Sequence, residues 1–197
     1  VQKKQIVIAT TNRGKFLEIE HVLQSLKVPL LSLDYFPGIP EVPEEGNTFE
    51  EIARHKALLY NRQLGLPVLA EDSGLLISAL DGYPGIISAR IAKADTDRIR
   101  IILEKLSGKN ERSAYYHCSM VFVSPPEVIE ATGRCDGIIV PHPRGTSGFG
   151  YDPIFQPLES DKTFGEMDSQ EKENYSHRGR ALRRILPFLK EWISRNP

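Results

Sequence analysis

The chain has 197 residues, 40% of them hydrophobic, enough to bury a core, so disorder is not the default reading. A formal charge of -1 excludes a global basic field for nucleic acid, and any polyanionic ligand must meet positive charge gathered locally. Cys118 and Cys135 form no CxxC pair, which argues against a disulfide framework or a cysteine-rich zinc site and for reduced thiols in the cytoplasm.

At the start, Lys3 and Lys4 precede an apolar run of only four residues, 6–9, too short for a signal peptide or a membrane span. Residues 5–10 predict a short buried strand, stopped by the polar stretch 11–14. A helix follows from about Lys15, because Phe16, Ile19, Val22, Leu23 and Leu26 recur at three- and four-residue steps. Residues 28–33 predict a second strand, and Pro37, Gly38, Pro40 and Pro43 then make a loop that carries Glu41, Glu44 and Glu45. Thr48 with Glu51 reads as a capping box for a helix buried through Phe49, Ile52, Ala53, Ala57 and Tyr60. Residues 67–70 predict a strand, 71–74 a tight turn and 75–80 a further apolar segment. After a loop at 81–85, residues 96–106 predict a helix and 113–123 and 128–140 a pair of strands joined as a hairpin. A glycine-rich loop at 141–152 precedes a last helix, set by Leu182, Ile185, Leu186, Leu189 and Ile193, in which Pro187 would introduce a kink. This order predicts a single α/β domain with a mixed sheet, parallel early and antiparallel late.

Several segments bring chemistry with them. Thr10-Thr11-Asn12-Arg13-Gly14-Lys15 combines hydroxyls, a helix start and a cation, which suits phosphate, although it is neither a Walker loop nor GxGxxG. An ordinary strand-to-helix turn fits it as well. Lys56 falls on the apolar stripe of its helix, where an ammonium either snorkels out or meets an anion. Glu71-Asp72-Ser73-Gly74 places acids at a strand end, where Mg²⁺ is held by one or two carboxylates plus substrate phosphates; a plain Asx turn is the competing reading. Glu41 or Glu44 could supply the second carboxylate. Phe149-Gly150-Tyr151-Asp152 sets rings among glycines, able to stack on a base; a plain glycine-rich loop with an aromatic anchor is the competing reading. Arg178, four residues before Leu182 on the inward side, asks for an anion or a carbonyl; the competing reading makes Arg178, Arg180, Arg183 and Arg184 one solvated basic face, and for Arg183 and Arg184 it is the better one.

Taken together these segments resemble the inosine triphosphate pyrophosphatases, also described as dITP/XTP pyrophosphatases. The resemblance runs through Thr10-Thr11-Asn12-Arg13-Gly14-Lys15, Glu71-Asp72-Ser73-Gly74-Leu75, Tyr83-Pro84-Gly85, Phe149-Gly150-Tyr151-Asp152-Pro153 and Ser176-His177-Arg178, in the family's order. Thr11 stands where many members have Gly or Ser, and Glu71 where many have Asp; neither change removes a needed functional group. The resemblance implies two lobes enclosing a nucleotide cleft, Mg²⁺ as cofactor, a homodimer, and a small nucleotide substrate rather than nucleic acid or membrane. It also implies Asp72 as proton acceptor or metal ligand and Glu44 as a metal ligand. By the same likeness Thr10, Thr11, Asn12, Arg13, Gly14, Lys15, Lys56, Ser73 and Lys172 hold triphosphate or ribose. Phe149, Gly150, Tyr151, Asp152, His177 and Arg178 hold the base. Two rivals remain at this point: a pyrophosphatase for modified pyrimidine or methylated guanine nucleotides, and a nucleotide sensor without turnover.

Overall fold

A computed structural model describes residues 5–195; Lys3 and Lys4 lie outside the described residues. Every residue of β1 (Ile6–Ala9) is buried, the pattern of a strand covered on both faces. It pairs in parallel with β2 (Leu30–Ser32), Ile6 level with Leu30, and with β3 (Val68–Ile77), Val7 level with Val68. Parallel neighbours need crossovers, which α1 (Arg13–Leu23) and α2 (Phe49–Leu64) supply. The chain continues through α3 (Asp95–Lys105), β4 (Ser113–Ser124), β5 (Glu127–Ile139), β6 (Phe155–Pro157), α4 (Ser169–Tyr175) and α5 (His177–Arg195). The sheet is six-stranded, ordered β2-β1-β3-β4-β5-β6. Pro125 and Pro126 alone join β4 to β5, a link short enough to permit only an antiparallel hairpin, and β6 adds antiparallel to β5. The expected mixed α/β sheet is present.

The chain divides into two compact units. The first comprises Val1–Asp72, Cys118–Gly133 and Arg178–Pro197. Its strands obey the period of two: Ile6, Ile8, Leu69, Met120 and Phe122 meet Ile19 and Leu23 of α1 and Leu182, Ile185, Leu189 and Trp192 of α5. Intervening residues Val7, Ala9, Val68, Ala70, Val121 and Val123 face Ala53, Ala57 and Tyr60 of α2. The second unit, Ser73–His117 and Arg134–His177, gathers Leu75, Ile77, Tyr116 and Ile139 against Ile99, Ile102 and Leu106 of α3, with Phe155 and Phe164. Strands β3 and β4 contribute residues to both units. Among the described residues no helix is long and apolar enough to cross a membrane. Cys118 and Cys135 are both buried, and neither forms a disulfide among the described residues.

Several boundaries differ from expectation. The turn expected at 71–74 is absent: β3 runs unbroken through Glu71, Asp72, Ser73 and Gly74. Extended backbone there buries side chains on both faces, which outweighs the local preference of Asp-Ser-Gly for an Asx turn. Helix α1 begins at Arg13, earlier than expected, because Asn12 caps it. β2 stops at Ser32, where Leu33 enters a 3₁₀ turn. At α2 the Thr48 hydroxyl accepts from Glu51 N, but the Glu51 carboxylate accepts from Asn47 N rather than closing the box on Thr48. Pro187 lies within α5, which continues through buried Leu189 and Trp192. β6 and α4 were not foreseen.

Candidate active site

In the first unit the site begins at the N-terminus of α1. Thr10 Oγ1 accepts from Asn12 N at 3.1 Å, and Asn12 Oδ1 accepts from Lys15 N at 3.0 Å, so both side chains shape the turn that opens the helix. Thr11, Asn12 and Arg13 remain exposed, and the first turn of α1 holds no acid. Positive charge from helix amides and side chains therefore faces outward at this end.

Because side chains alternate along β3, Glu71 follows Leu69 toward α1 and α5, whereas Asp72 follows Ala70 toward α2. Glu71 Oε1 lies 2.6 Å from Lys15 Nζ, and its Oε2 lies 3.4 Å from both Arg178 Nη2 and Cys118 Sγ. Arg178 also forms an ion pair with Glu18, one turn beyond Lys15. Burial alone would raise the Glu71 carboxyl, but Lys15 and Arg178 outweigh it and hold the group well below the usual carboxylate range. The anion that inward-pointing Arg178 required is thus a protein carboxylate pair.

Asp72 is 5% exposed, and its Oδ2 is a buried oxygen without a hydrogen-bond partner among the described residues. Burial pushes its carboxyl up to about 7, with Glu71 and Glu44 adding to the rise and Lys15 and Lys56 restraining it. Lys56, on the buried stripe of α2, places Nζ 3.3 Å from the Glu71 carbonyl and 3.4 Å from Glu44 Oε1. Of the loop acids, Glu44 thus reaches Lys56, Glu45 turns to His55 at 3.9 Å, and Glu41 lines a cavity of about 370 Å³ with Phe36 and Tyr60. Among the described residues no set of three metal-type side chains gathers. A buried oxygen lacking a partner, near a second carboxylate, fits a hard cation that completes its shell with water and phosphate.

The second unit holds the aromatic segment. Gly148 and Gly150 take left-handed backbone, φ +77° and +64°, on either side of Phe149. A Cβ on Gly148 would stand 2.0 Å from Asp152 Oδ2, which itself accepts from Phe149 N at 2.9 Å and from Lys172 Nζ at 2.5 Å. The Lys172 ammonium lies 4.7 Å from the Phe149 ring centre, so Lys172 is placed with the aromatic segment. Tyr151 is buried and donates its hydroxyl to Ser88 O at 2.7 Å, an anchor in the core rather than an open stacking face. His177 lies parallel to Tyr116, ring centres 4.5 Å apart at 7°. Ser73, on β3, is half-buried.

Sequence reasoning missed Glu18, Cys118, Tyr116 and Asp95. Glu18 was accessible as the residue one turn after Lys15 on the same helix face, and Cys118 as an inward position in the alternation of β4. No local signal pairs Glu18 with Arg178.

A mixed-sheet α/β protein with a buried carboxylate beside lysines at a strand and a helix start offers the groups that a phosphorylated ligand needs. The chain belongs to the Ham1 family, whose profile matches residues 6–188. A protein of Desulfotalea psychrophila named dITP/XTP pyrophosphatase is 42% identical, over 95% of this chain and 87% of its own. One of the same name from Syntrophobacter fumaroxidans is 47% identical, over 90% of this chain and 78% of its own. The solved structure of a HAM1 protein from Coxiella burnetii superimposes with a TM-score of 0.86 at 38% identity, covering 95% of this chain and 99% of its own. The family resemblance and the α/β fold expected from the sequence are both borne out.

Proposed function

We propose that the chain hydrolyses non-standard purine nucleoside triphosphates, ITP, dITP and XTP among them, to the nucleoside monophosphate and pyrophosphate, clearing them from the cytoplasmic nucleotide pool. Family membership and the names of its relatives support the reaction class. The observation that carries the chemistry is Asp72, a buried carboxyl brought to about 7 whose Oδ2 has no hydrogen-bond partner among the described residues. Such a group takes a proton from water near neutral pH. As the water oxygen bonds to the α-phosphorus, its proton passes to Asp72 and the anhydride bond to the β-phosphate breaks, releasing pyrophosphate. Thr10, Thr11, Asn12, Arg13, Gly14, Lys15 and Lys56 supply the hydroxyls, amides and cations that gather phosphate oxygens. Glu44 would hold Mg²⁺, joined by Asp72 where Asp72 orients the water as a metal ligand rather than taking its proton; the cation would offset negative charge on the phosphate oxygens.

Phe149, Gly150, Asp152, Lys172, His177 and Arg178 recognise the base, and Ser73 supports the ribose. Hypoxanthine and xanthine present a 6-keto acceptor where adenine presents an amino donor, so a site offering donors rejects ATP. Guanine shares the 6-keto group and is rejected at its 2-amino group. We further propose a homodimer, on family resemblance.

The test is a panel in which released pyrophosphate is measured with ITP, dITP, XTP, GTP and ATP, with and without EDTA. Turnover confined to the non-standard purines, abolished by EDTA and restored by Mg²⁺, is the expected result. Equal turnover of ATP, or none of any nucleotide, refutes the reading. Light scattering of the same sample should report twice the 22.2 kDa of one chain.

A further inference from the structure

Within the second unit, the segment carrying Phe149 is held at two successive backbone amides by two different carboxylates. Asp152 Oδ2 accepts from Phe149 N at 2.9 Å, and Asp95 Oδ2 accepts from Gly150 N at 2.7 Å. The first contact is local and closes a turn. The second arrives from the first residue of α3, 55 positions away in the chain.

Asp95 is itself fixed. Its Oδ1 lies 2.7 Å from Arg98 Nη1, and the same guanidinium donates to Ala92 O at 2.8 Å and Lys93 O at 3.3 Å, tying the start of α3 to the chain that enters it. Tyr151, next after Gly150, donates to Ser88 O in the segment just upstream. The stretch from Ser88 to Arg98 therefore holds the loop at Gly150 and at Tyr151. Gly150 needs this support: at φ +64° it sits in a conformation that the loop's own sequence does not enforce, since glycine visits either sign of φ freely.

We propose that Asp95 is a positioning residue that sets the Phe149 ring for base recognition, with Arg98 holding Asp95 in turn. The inference rests on the base-reading role assigned to Phe149 above. Asp95 touches no reacting atom, so its loss should weaken base binding without slowing the bond-breaking step.

The experiment compares wild type, Asp95→Ala and Asp95→Asn in steady-state hydrolysis of ITP and ATP, with amide exchange followed over residues 148–151. Asp95 is half-exposed, and the first turn of a helix tolerates alanine, so both variants should fold. Asp95→Ala should raise KM for ITP about 10-fold, leave kcat within about 3-fold, lower kcat/KM for ATP by a similar factor because a ring stacks on either purine, and speed exchange at Gly150. Asp95→Asn keeps one acceptor oxygen and should restore most of the KM. An Asp95→Ala enzyme whose KM matches wild type overturns the proposal, as does unchanged exchange at Gly150 or a fall confined to kcat. A wild type that releases no pyrophosphate from ITP would defeat the functional reading and the positioning role together, which is distinguishable because it appears before any substitution is made.

Discussion

Two adjacent acids on one strand have opposite electrostatic fates, because the pleat sends them to opposite sides. Glu71 is surrounded by Lys15 and Arg178 and stays ionised; Asp72, with less compensation, is pushed up to about 7 by burial. A raised folded-state pKa means that the native protein binds this proton more tightly than the unfolded chain. The stability so gained is fully present below about pH 4 and is lost as pH rises through about 7. Asp72→Asn should therefore have two consequences of opposite sign. Turnover falls at least ~100-fold, the scale lost with a general base. In EDTA at pH 8 the variant is more stable than wild type, by on the order of 2 kcal/mol, and the difference vanishes near pH 4. Urea titrations at the two pH values check this; equal stabilities at pH 8 would show that Asp72 carries no strained charge.

At the scale of elements, α1 joins a stability problem to a binding one at Asn12. As N-cap its side chain accepts from Lys15 N, and the exposed end of the same helix is where phosphate is proposed to sit. Asn12→Ala should cost about 1 kcal/mol of stability. Asn12→Asp keeps the cap and suits the helix dipole, so stability holds, yet its new charge repels phosphate and should raise KM by about 10-fold or more. An Asn12→Asp enzyme with wild-type KM places the phosphates elsewhere. Helices α1, α2 and α3 were legible in the sequence because each buries one face at the helical period, and the hairpin because two long strand candidates flank the turn at Pro125 and Pro126. β6, of three residues, and α4, of seven, are too short for periodicity to register. β3 was misread at 71–74 because what keeps it extended is supplied by Lys15, Arg178 and Cys118, distant in sequence. The candidate-site motifs were visible as residue types. Which acid met which cation was not, since Glu18 and Arg178 stand 160 positions apart.

At the scale of the whole molecule, the chain passes from one unit to the other inside the very motifs that carried the sequence reading, between Asp72 and Ser73 and again between His177 and Arg178. Neighbouring residues thus serve different surroundings. His177 stacks on Tyr116 in the second unit, while Arg178, 2% exposed, neutralises Glu18 and Glu71 in the first. Arg178→Ala would strand buried carboxylate charge and should cost about 3–5 kcal/mol, so its lost activity alone would say nothing about base recognition. Arg178→Lys separates the two roles. A lysine keeps a cation for Glu71, and most of the stability, but lacks the planar fork that could donate to a 6-keto oxygen. If Arg178 reads the base, the Lys variant stays folded while its kcat/KM for ITP falls far more than for ATP. His177→Ala, which forfeits one stacked ring pair worth about 0.5–1.5 kcal/mol, should narrow the same ratio more mildly. Should both variants lower ITP and ATP hydrolysis by a common factor, the two residues support the fold or the phosphates, and the donors that distinguish hypoxanthine from adenine lie elsewhere than in the Phe149 and Gly150 amides, which Asp152 and Asp95 already occupy.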